Sequence, residues 1–156
     1  GLCAIVAAKY IGCEVDIYAK YDHQIEAAHE LGAGELSGKY DRVIDCVGND
    51  QTLSLSTKTA KPGSWIVILG IPMQGINLPG LRVIMNEIKI FPSIMYSSTD
   101  GVKDFTIAAK VLSRYPEIGK KIITHRFRLD EAEEAFAVAG DKNSKSIKVV
   151  FDPSLT

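Results

Sequence analysis

From residue 14 onward, short β-branched apolar runs alternate with amphipathic stretches of helical period. Strands that recur singly between helices must be joined by crossover connections, and such connections build a parallel sheet. Before the first of these runs, Leu2, Ile5, Val6 and Tyr10 fall at helical spacing and Gly12 stands where a helix would stop. Residues 14 to 19 then read as a strand, and Asp22 reads as the cap of a helix that carries Ile25, Ala28 and Leu31 and ends at Gly32. After a loop through Gly38, residues 42 to 47 form the next strand. A helix runs from Asp50 through Ala60, closed by Pro62 and Gly63. The run at 64 to 69 is apolar almost throughout, as suits a strand covered on both faces.

The segment from Gly70 to Gly80 holds three glycines and two prolines, which reads as an ordered loop near a site. Residues 87 to 91 alternate as an edge strand would, with Pro92 following. Residues 102 to 115 place Phe105, Ala108, Ala109 and Leu112 on one helical face. After Pro116 come a strand at 123 to 127, a helix from Asp130 to Ala139 with a capping pair in Asp130 and Glu133, and a last strand at 146 to 151. The expected fold is α/β, a Rossmann-like doubly wound parallel sheet. Because residue 1 already stands at a helix start, a strand and a tight glycine turn are expected upstream. Without that central first strand, the sheet would be split into two halves.

Eighteen basic residues against nineteen acidic ones give a formal net charge of -1 in 156 residues. That balance argues against nucleic acid or a membrane surface as partner. Cys3, Cys13 and Cys46 have neither disulfide-framework nor zinc-ligand spacing, so reduced thiols in a cytoplasmic protein are the reading. No apolar run reaches the length of a membrane span.

Ligands of a doubly wound sheet bind outside the carboxyl ends of its strands. The first such place is Gly1 and the helix start after it, where backbone N–H groups and the dipole favour phosphate. The second is the end of the 14 to 19 strand. A dinucleotide fold places an acid there, about 20 residues past its glycine turn, to hold the ribose hydroxyls. Here Ala19 takes that place and Lys20 follows, with Tyr21 and His23 close by. A cation favours a 2′-phosphate. The third and fourth are Val47–Gly48 and Gly70–Ile71, where small residues let a flat ring lie along backbone. His125 lacks metal-ligand neighbours, His23 and His29 read as surface residues, and Cys46 reads as a buried small hydrophobe. Asp45, inside an apolar strand, reads as a partner for a neighbouring loop with no catalytic role. No catalytic or metal-ligating residue is assigned.

The segments GLCAIVAAKYIGCEV, AAHELGAGE, YDRVIDCVGN, KPGSWIVILGIP, NEIKIFPS, ITHRFRLDEAEEAF and SIKVVFDP together resemble the nucleotide-binding and C-terminal portion of zinc-type medium-chain alcohol dehydrogenases. The resemblance runs over essentially the whole chain. It implies a dinucleotide-binding domain at 1–122 and a segment at 123–156 that returns to a catalytic domain. It implies that Gly1 and Leu2 lie under the pyrophosphate, Ala19 and Lys20 beside the adenosine ribose, and Val47 and Gly48 along the adenosine side. Leu69, Gly70 and Ile71 would border the nicotinamide, Ser93 and Met95 would offer main-chain contacts to its carboxamide, and Lys148 would reach the pyrophosphate. Two departures stand out: Pro92 where the family usually has glycine, and Ala19 for the ribose acid.

The implied cofactor is NADP, with NAD as the alternative. The implied activity of the parent enzyme is hydride transfer between the cofactor and an alcohol or its carbonyl partner. The zinc ligands and proton relay of the family belong to an N-terminal domain outside this sequence, so this chain alone is expected to be inactive. A non-catalytic nucleotide-binding or dimerisation module is the alternative. Homo-oligomer formation through the 87 to 95 edge is expected from apolar Ile88, Ile90 and Phe91.

Overall fold

Leu2, Ile5 and Val6 form the inner side of helix α1 (Leu2–Tyr10), with Ile5 and Val6 buried. The computed structural model describes residues 1–155, all but the side chain of Thr99. The chain forms two compact units, one made of residues 1–36 and the chain from residue 100 onward, the other of Ser37–Thr99. In the first unit α1 is followed by strand β1 (Asp16–Ile17), helix α2 (Asp22–Glu30) and strand β2 (Gly34–Glu35). β1 and β2 pair in parallel, Asp16 opposite Gly34.

The strand expected over 14 to 19 is thus two residues long, because β2, its one ladder partner, is itself only two residues long. Asp22 does not cap α2: Tyr21 holds the cap position in extended conformation, and Asp22 is the first helical residue, where its charge still faces the positive helix end. The close of α2 is as expected. Leu31 is the last capping residue and Gly32 takes φ +82°, with its carbonyl accepting a 2.9 Å hydrogen bond from Lys9 Nζ.

The second unit carries strand β3 (Tyr40–Asp45), helix α3 (Asp50–Thr59), strand β4 (Ala60–Ile68), helix α4 (Gly80–Met85), strand β5 (Lys89–Pro92) and the short β6 (Ser98–Thr99). β3, β4 and β5 form a three-stranded parallel sheet in that order. Leu53 of α3 and Ile66 of β4 are fully shielded, and Ala60, Ile68 and Ile88 join them in one cluster. Each fully buried side chain of this size contributes roughly 1.5–3 kcal/mol.

Four expectations change here. Pro62 and Gly63 do not close α3, which ends at Thr59 with Ala60 as its cap; they lie within β4, in a bulge. Tyr40 pairs with Ala60 but Arg42 pairs with Trp65, so residues 61–64 loop out of register, where a proline's missing donor costs no ladder bond. β4 is not covered on both faces: Ser64, Ile66 and Ile68 are buried while Trp65 and Val67 are half-buried. Trp65 instead stacks on Phe91 at 4.8 Å, with Arg42 and Lys89 over its ring. Pro92 ends β5 rather than following it, opposite Ile68 on the sheet edge. Ile88 is buried against Val83 of α4, so of the three apolar residues expected to open the edge to a partner only Phe91 is exposed.

The rest of the first unit holds β7 (Val102–Lys103), α5 (Asp104–Arg114), α6 (Glu117–Ile122), β8 (Ile123–Phe127), α7 (Ala132–Gly140) and β9 (Lys148–Phe151). Ile118, Val111 and Tyr115 pack on the α1 cluster, whereas Phe105 and Leu112, on the face read from the sequence, are exposed. β8 and β9 pair in parallel across α7. The capping pair is not Asp130 with Glu133: the Glu131 carboxylate accepts from the Arg128 N–H at 2.7 Å in a short 3-10 turn before α7. Leu129 and Phe136 are exposed, and the Phe136 ring lies 6.4 Å from that of Phe151.

The architecture is α/β with parallel sheets. The strands fall into separate sheets, β1–β2 in the first unit and β3–β4–β5 in the second. The boundary expected at 122/123 lies between α6 and β8, inside the first unit.

Candidate functional site

In the second unit, β3 and β4 end side by side because Asp45 and Ile68 are register partners. The chain leaving each strand meets the other at a pair of glycines. Gly48 takes φ +74°, and a Cβ there would stand 2.5 Å from the Gly70 carbonyl oxygen. A Cβ on Gly70 would come closer still to Val47 and Gly48 backbone. Both glycines are therefore required by their mutual contact. Val47, Leu69 and Ile71 around them are exposed apolar side chains.

Asp45 ties the two ends together. Its carboxylate, 4% exposed, accepts from the Val47 N–H at 2.9 Å and the Gly48 N–H at 3.0 Å through Oδ1, and from the Thr52 hydroxyl at 2.9 Å through Oδ2. Its backbone carbonyl accepts from Leu69 N–H at 2.8 Å and Gly70 N–H at 3.1 Å. Thr52 also closes a reciprocal cap with Asn49 at the start of α3. Asp45 thus partners the neighbouring loops, as its place in an apolar strand implies, and Thr52 and the Asn49 cap join it. The sequence signal of that cap is Asn49 and Thr52, spaced three apart before an apolar helix.

The Gly70–Gly80 segment is held by Asp50, whose two carboxylate oxygens accept from Asn77 N–H at 2.7 Å and Asn77 Nδ2 at 2.6 Å. The Asn77 backbone N–H first, and then its side-chain amide, hold the Asp50 carboxyl below its ordinary value. Further along, the Ser93 N–H donates to the Ile68 carbonyl at 2.9 Å, and Met95, 82% exposed, takes the left-handed φ of +65°. A non-glycine residue held there carries backbone strain of about 1–3 kcal/mol. Val47, Gly48, Leu69, Gly70 and Ser93 are thereby joined through the ends of β3 and β4.

In the first unit, Gly1 has open space around its Cα, and its carbonyl accepts from the N–H groups of Ala4 and Ile5. Leu2 and Ile17 pack on the same apolar cluster. Ala19 and Lys20 follow β1, and the Lys20 ammonium lies 5.6 Å from the centre of the Tyr21 ring, which stacks on His23 at 5.7 Å. Lys148 opens β9 opposite Ile123, and its carbonyl accepts from the Thr124 hydroxyl. Among the described residues, no three His, Cys, Asp or Glu side chains gather where they could hold a metal ion. These residues do not form a zinc site.

Against this geometry, residues 34–114 match the sequence profile described as zinc-binding dehydrogenase. The chain belongs to the zinc-binding dehydrogenase family. Mouse (Mus musculus) sorbitol dehydrogenase is 25% identical over 150 residues, 96% of this chain and 40% of that protein. The chain therefore spans about two fifths of the length of these curated relatives. Two solved structures share the fold of this family member. The NADH complex of the short chain alcohol dehydrogenase (rspB) of E. coli CFT073 aligns at a TM-score of 0.75 and 21% identity, covering 94% of this chain and 48% of that one. S. aureus TarJ in complex with NADPH aligns at 0.74 and 16%, covering 96% and 50%. No described helix of this family member is long and apolar enough to cross a membrane.

Proposed function

We propose that this chain is the dinucleotide-binding part of a zinc-binding dehydrogenase that transfers hydride between NADP(H) and an alcohol or its carbonyl partner. The observation that carries the reading is the pair of strand ends at Val47–Gly48 and Leu69–Gly70, hydrogen-bonded through Asp45, in a parallel α/β chain of this family. Ligands of such sheets bind at the carboxyl ends of strands. Relatives of this fold have been solved with NADH and with NADPH, which supports the cofactor class. The bound nicotinamide supplies the hydride donor or acceptor.

The residues of this chain bind and orient that cofactor. Gly1 and Leu2, at an open helix N-terminus, suit the pyrophosphate, and Lys148 would reach it from β9. Ala19 and Lys20 border the adenosine ribose, and the exposed Lys20 ammonium selects a 2′-phosphate. Val47 and Gly48 take the adenosine side, Leu69, Gly70 and Ile71 border the nicotinamide, and Ser93 and Met95 present main-chain groups to its carboxamide. In this reading residues 1–122 form the dinucleotide-binding domain and 123–156 the segment that returns to a catalytic domain, which supplies zinc and the substrate site. Cys3, Cys13 and Cys46 are all free thiols, which supports a cytoplasmic setting.

Titration of the full-length protein with NADPH and NADH tests the reading. Tighter binding of NADPH that Lys20→Ala abolishes supports it, and a clear preference for NADH that Lys20→Ala leaves unchanged removes the phosphate argument. A second reading, a dimerisation module, has the exposed Phe91, Ile94 and Met95 at the β5 edge in its favour. Cofactor titration of the Phe91→Asp variant, checked by sedimentation to be monomeric, separates the two: the dinucleotide reading predicts that NADPH binding is retained, and the dimerisation reading predicts no cofactor binding in either the variant or the wild type.

A further inference from the structure

We infer that Asp45 is the positioning residue of the cofactor rim, acting on the dinucleotide through the residues it holds and not by touching it. The inference rests on the dinucleotide reading above. Asp45 accepts five hydrogen bonds that link the two strand ends. Three end on its buried carboxylate, from Val47, Gly48 and Thr52, and two end on its carbonyl, from Leu69 and Gly70. Val47, Gly48, Leu69 and Gly70 are four residues assigned to the rim.

A carboxylate shielded from water is retained where its lone pairs are filled, and here each oxygen has a donor. Loss of the acceptor would leave two amides in a tight glycine turn without partners, and Gly48, already at φ +74° against Gly70, has no side chain to hold it. The amide hydrogens of Val47 and Gly48 are also consumed inward, on the buried carboxyl group of Asp45. This stretch of rim therefore offers carbonyl oxygens and apolar surface to a ligand. That chemistry suits the hydroxyl-bearing and flat parts of a dinucleotide and disfavours its diphosphate.

The conservative replacement isolates the role. In Asp45→Asn the amide oxygen still accepts from Val47 and Gly48 and the amide NH2 can donate to the Thr52 oxygen, whereas Asp45→Ala removes all three side-chain bonds. Both variants and the wild-type full-length protein are titrated with NADH and NADPH by nicotinamide fluorescence, with circular dichroism and thermal melts run alongside. The expected result is a tenfold or larger rise in Kd for Asp45→Ala and a change within threefold for Asp45→Asn, with both variants folded at the titration temperature. A purely structural role would lower the melting temperature of Asp45→Ala and leave its Kd at the wild-type value, which overturns the inference. Equal losses in both variants overturn it too. If Asp45→Ala does not fold, Thr52→Val takes its place: a Kd raised about threefold and restored by Thr52→Ser supports the role, and an unchanged Kd sinks it. Wild-type protein that binds neither NADH nor NADPH brings down the dinucleotide reading itself and the inference with it, whereas wild-type binding that Asp45→Ala leaves intact brings down the inference alone.

Discussion

Gly48 and Gly70 stand so close that each occupies the space the other's Cβ would need. Gly70→Ala therefore forces backbone against backbone, with no flexible side chain to yield. The expected cost is about 3 kcal/mol, at the upper end of overpacking. Gly75→Ala is the comparison: its φ of +72° is equally unfavourable to a side chain, but nothing lies within 4 Å, so only about 1 kcal/mol is expected. Urea denaturation of the two variants measures the difference, and equal costs would refute the contact as the cause.

The clasp of Asp50 on Asn77 gives a pH signature. Hydrogen bonds from Asn77 lower the folded-state pKa of Asp50 below its ordinary value. A depressed carboxyl stabilises the fold above its unfolded-state pKa, near about 4, and that contribution is lost as pH falls through the lower folded value. Lys61 beside Asp41, and Ser154 ahead of Arg126 at Asp152, act with the same sign. Protease cleavage within 70–80 is expected to stay slow down to about pH 4 and rise below it, whereas Asp50→Ala raises it at neutral pH and flattens the acid rise, because the wild type has lost the same contribution once Asp50 is protonated. Cleavage rates independent of both pH and the substitution would show that the loop is held by other means.

Burial separates two leucines of like helical setting. Leu53 is 0% exposed between α3 and the sheet, and Leu112 on α5 is 52% exposed. Leu53→Ala is expected to cost about 2–5 kcal/mol, and Leu112→Ala less than about 0.5 kcal/mol. Thermal melts of both report the contrast.

Lys20→Ala is expected to weaken NADPH binding about tenfold, the scale of one charge-assisted hydrogen bond to phosphate. NADH, which lacks that phosphate, should bind as before. Isothermal titration of both cofactors decides it, and parallel losses would assign Lys20 a role in folding.

Much of the fold was readable because its signals are local. The helices at 2–10, 22–30 and 50–59 announce themselves by spacing and by the glycines or caps at their ends. β1 was overread because the length of a strand is set by its partner, and no property of residues 14 to 19 reports that β2 stops after two residues. Pro62 and Gly63 mislead for the opposite reason. They are turn residues by composition, but the pairing of Arg42 with Trp65 turns them into a bulge. At the strand ends, Gly48 and Gly70 could be marked as significant, yet their contact depends on the register of Asp45 with Ile68, a relation between segments more than twenty residues apart. The charge of Asp45 within an apolar run was the legible trace of that relation.

The bulge at 61–64 uncouples two parts of β4. Which side Ile66 and Ile68 show to α3 is decided only from Trp65 onward, while Ala60 is placed by the end of the preceding helix. A residue gained or lost between them can be taken up by the looped-out stretch without turning the strand over. Descendants of this sequence are thus free to lengthen α3 by a step while keeping the same inward-facing isoleucines.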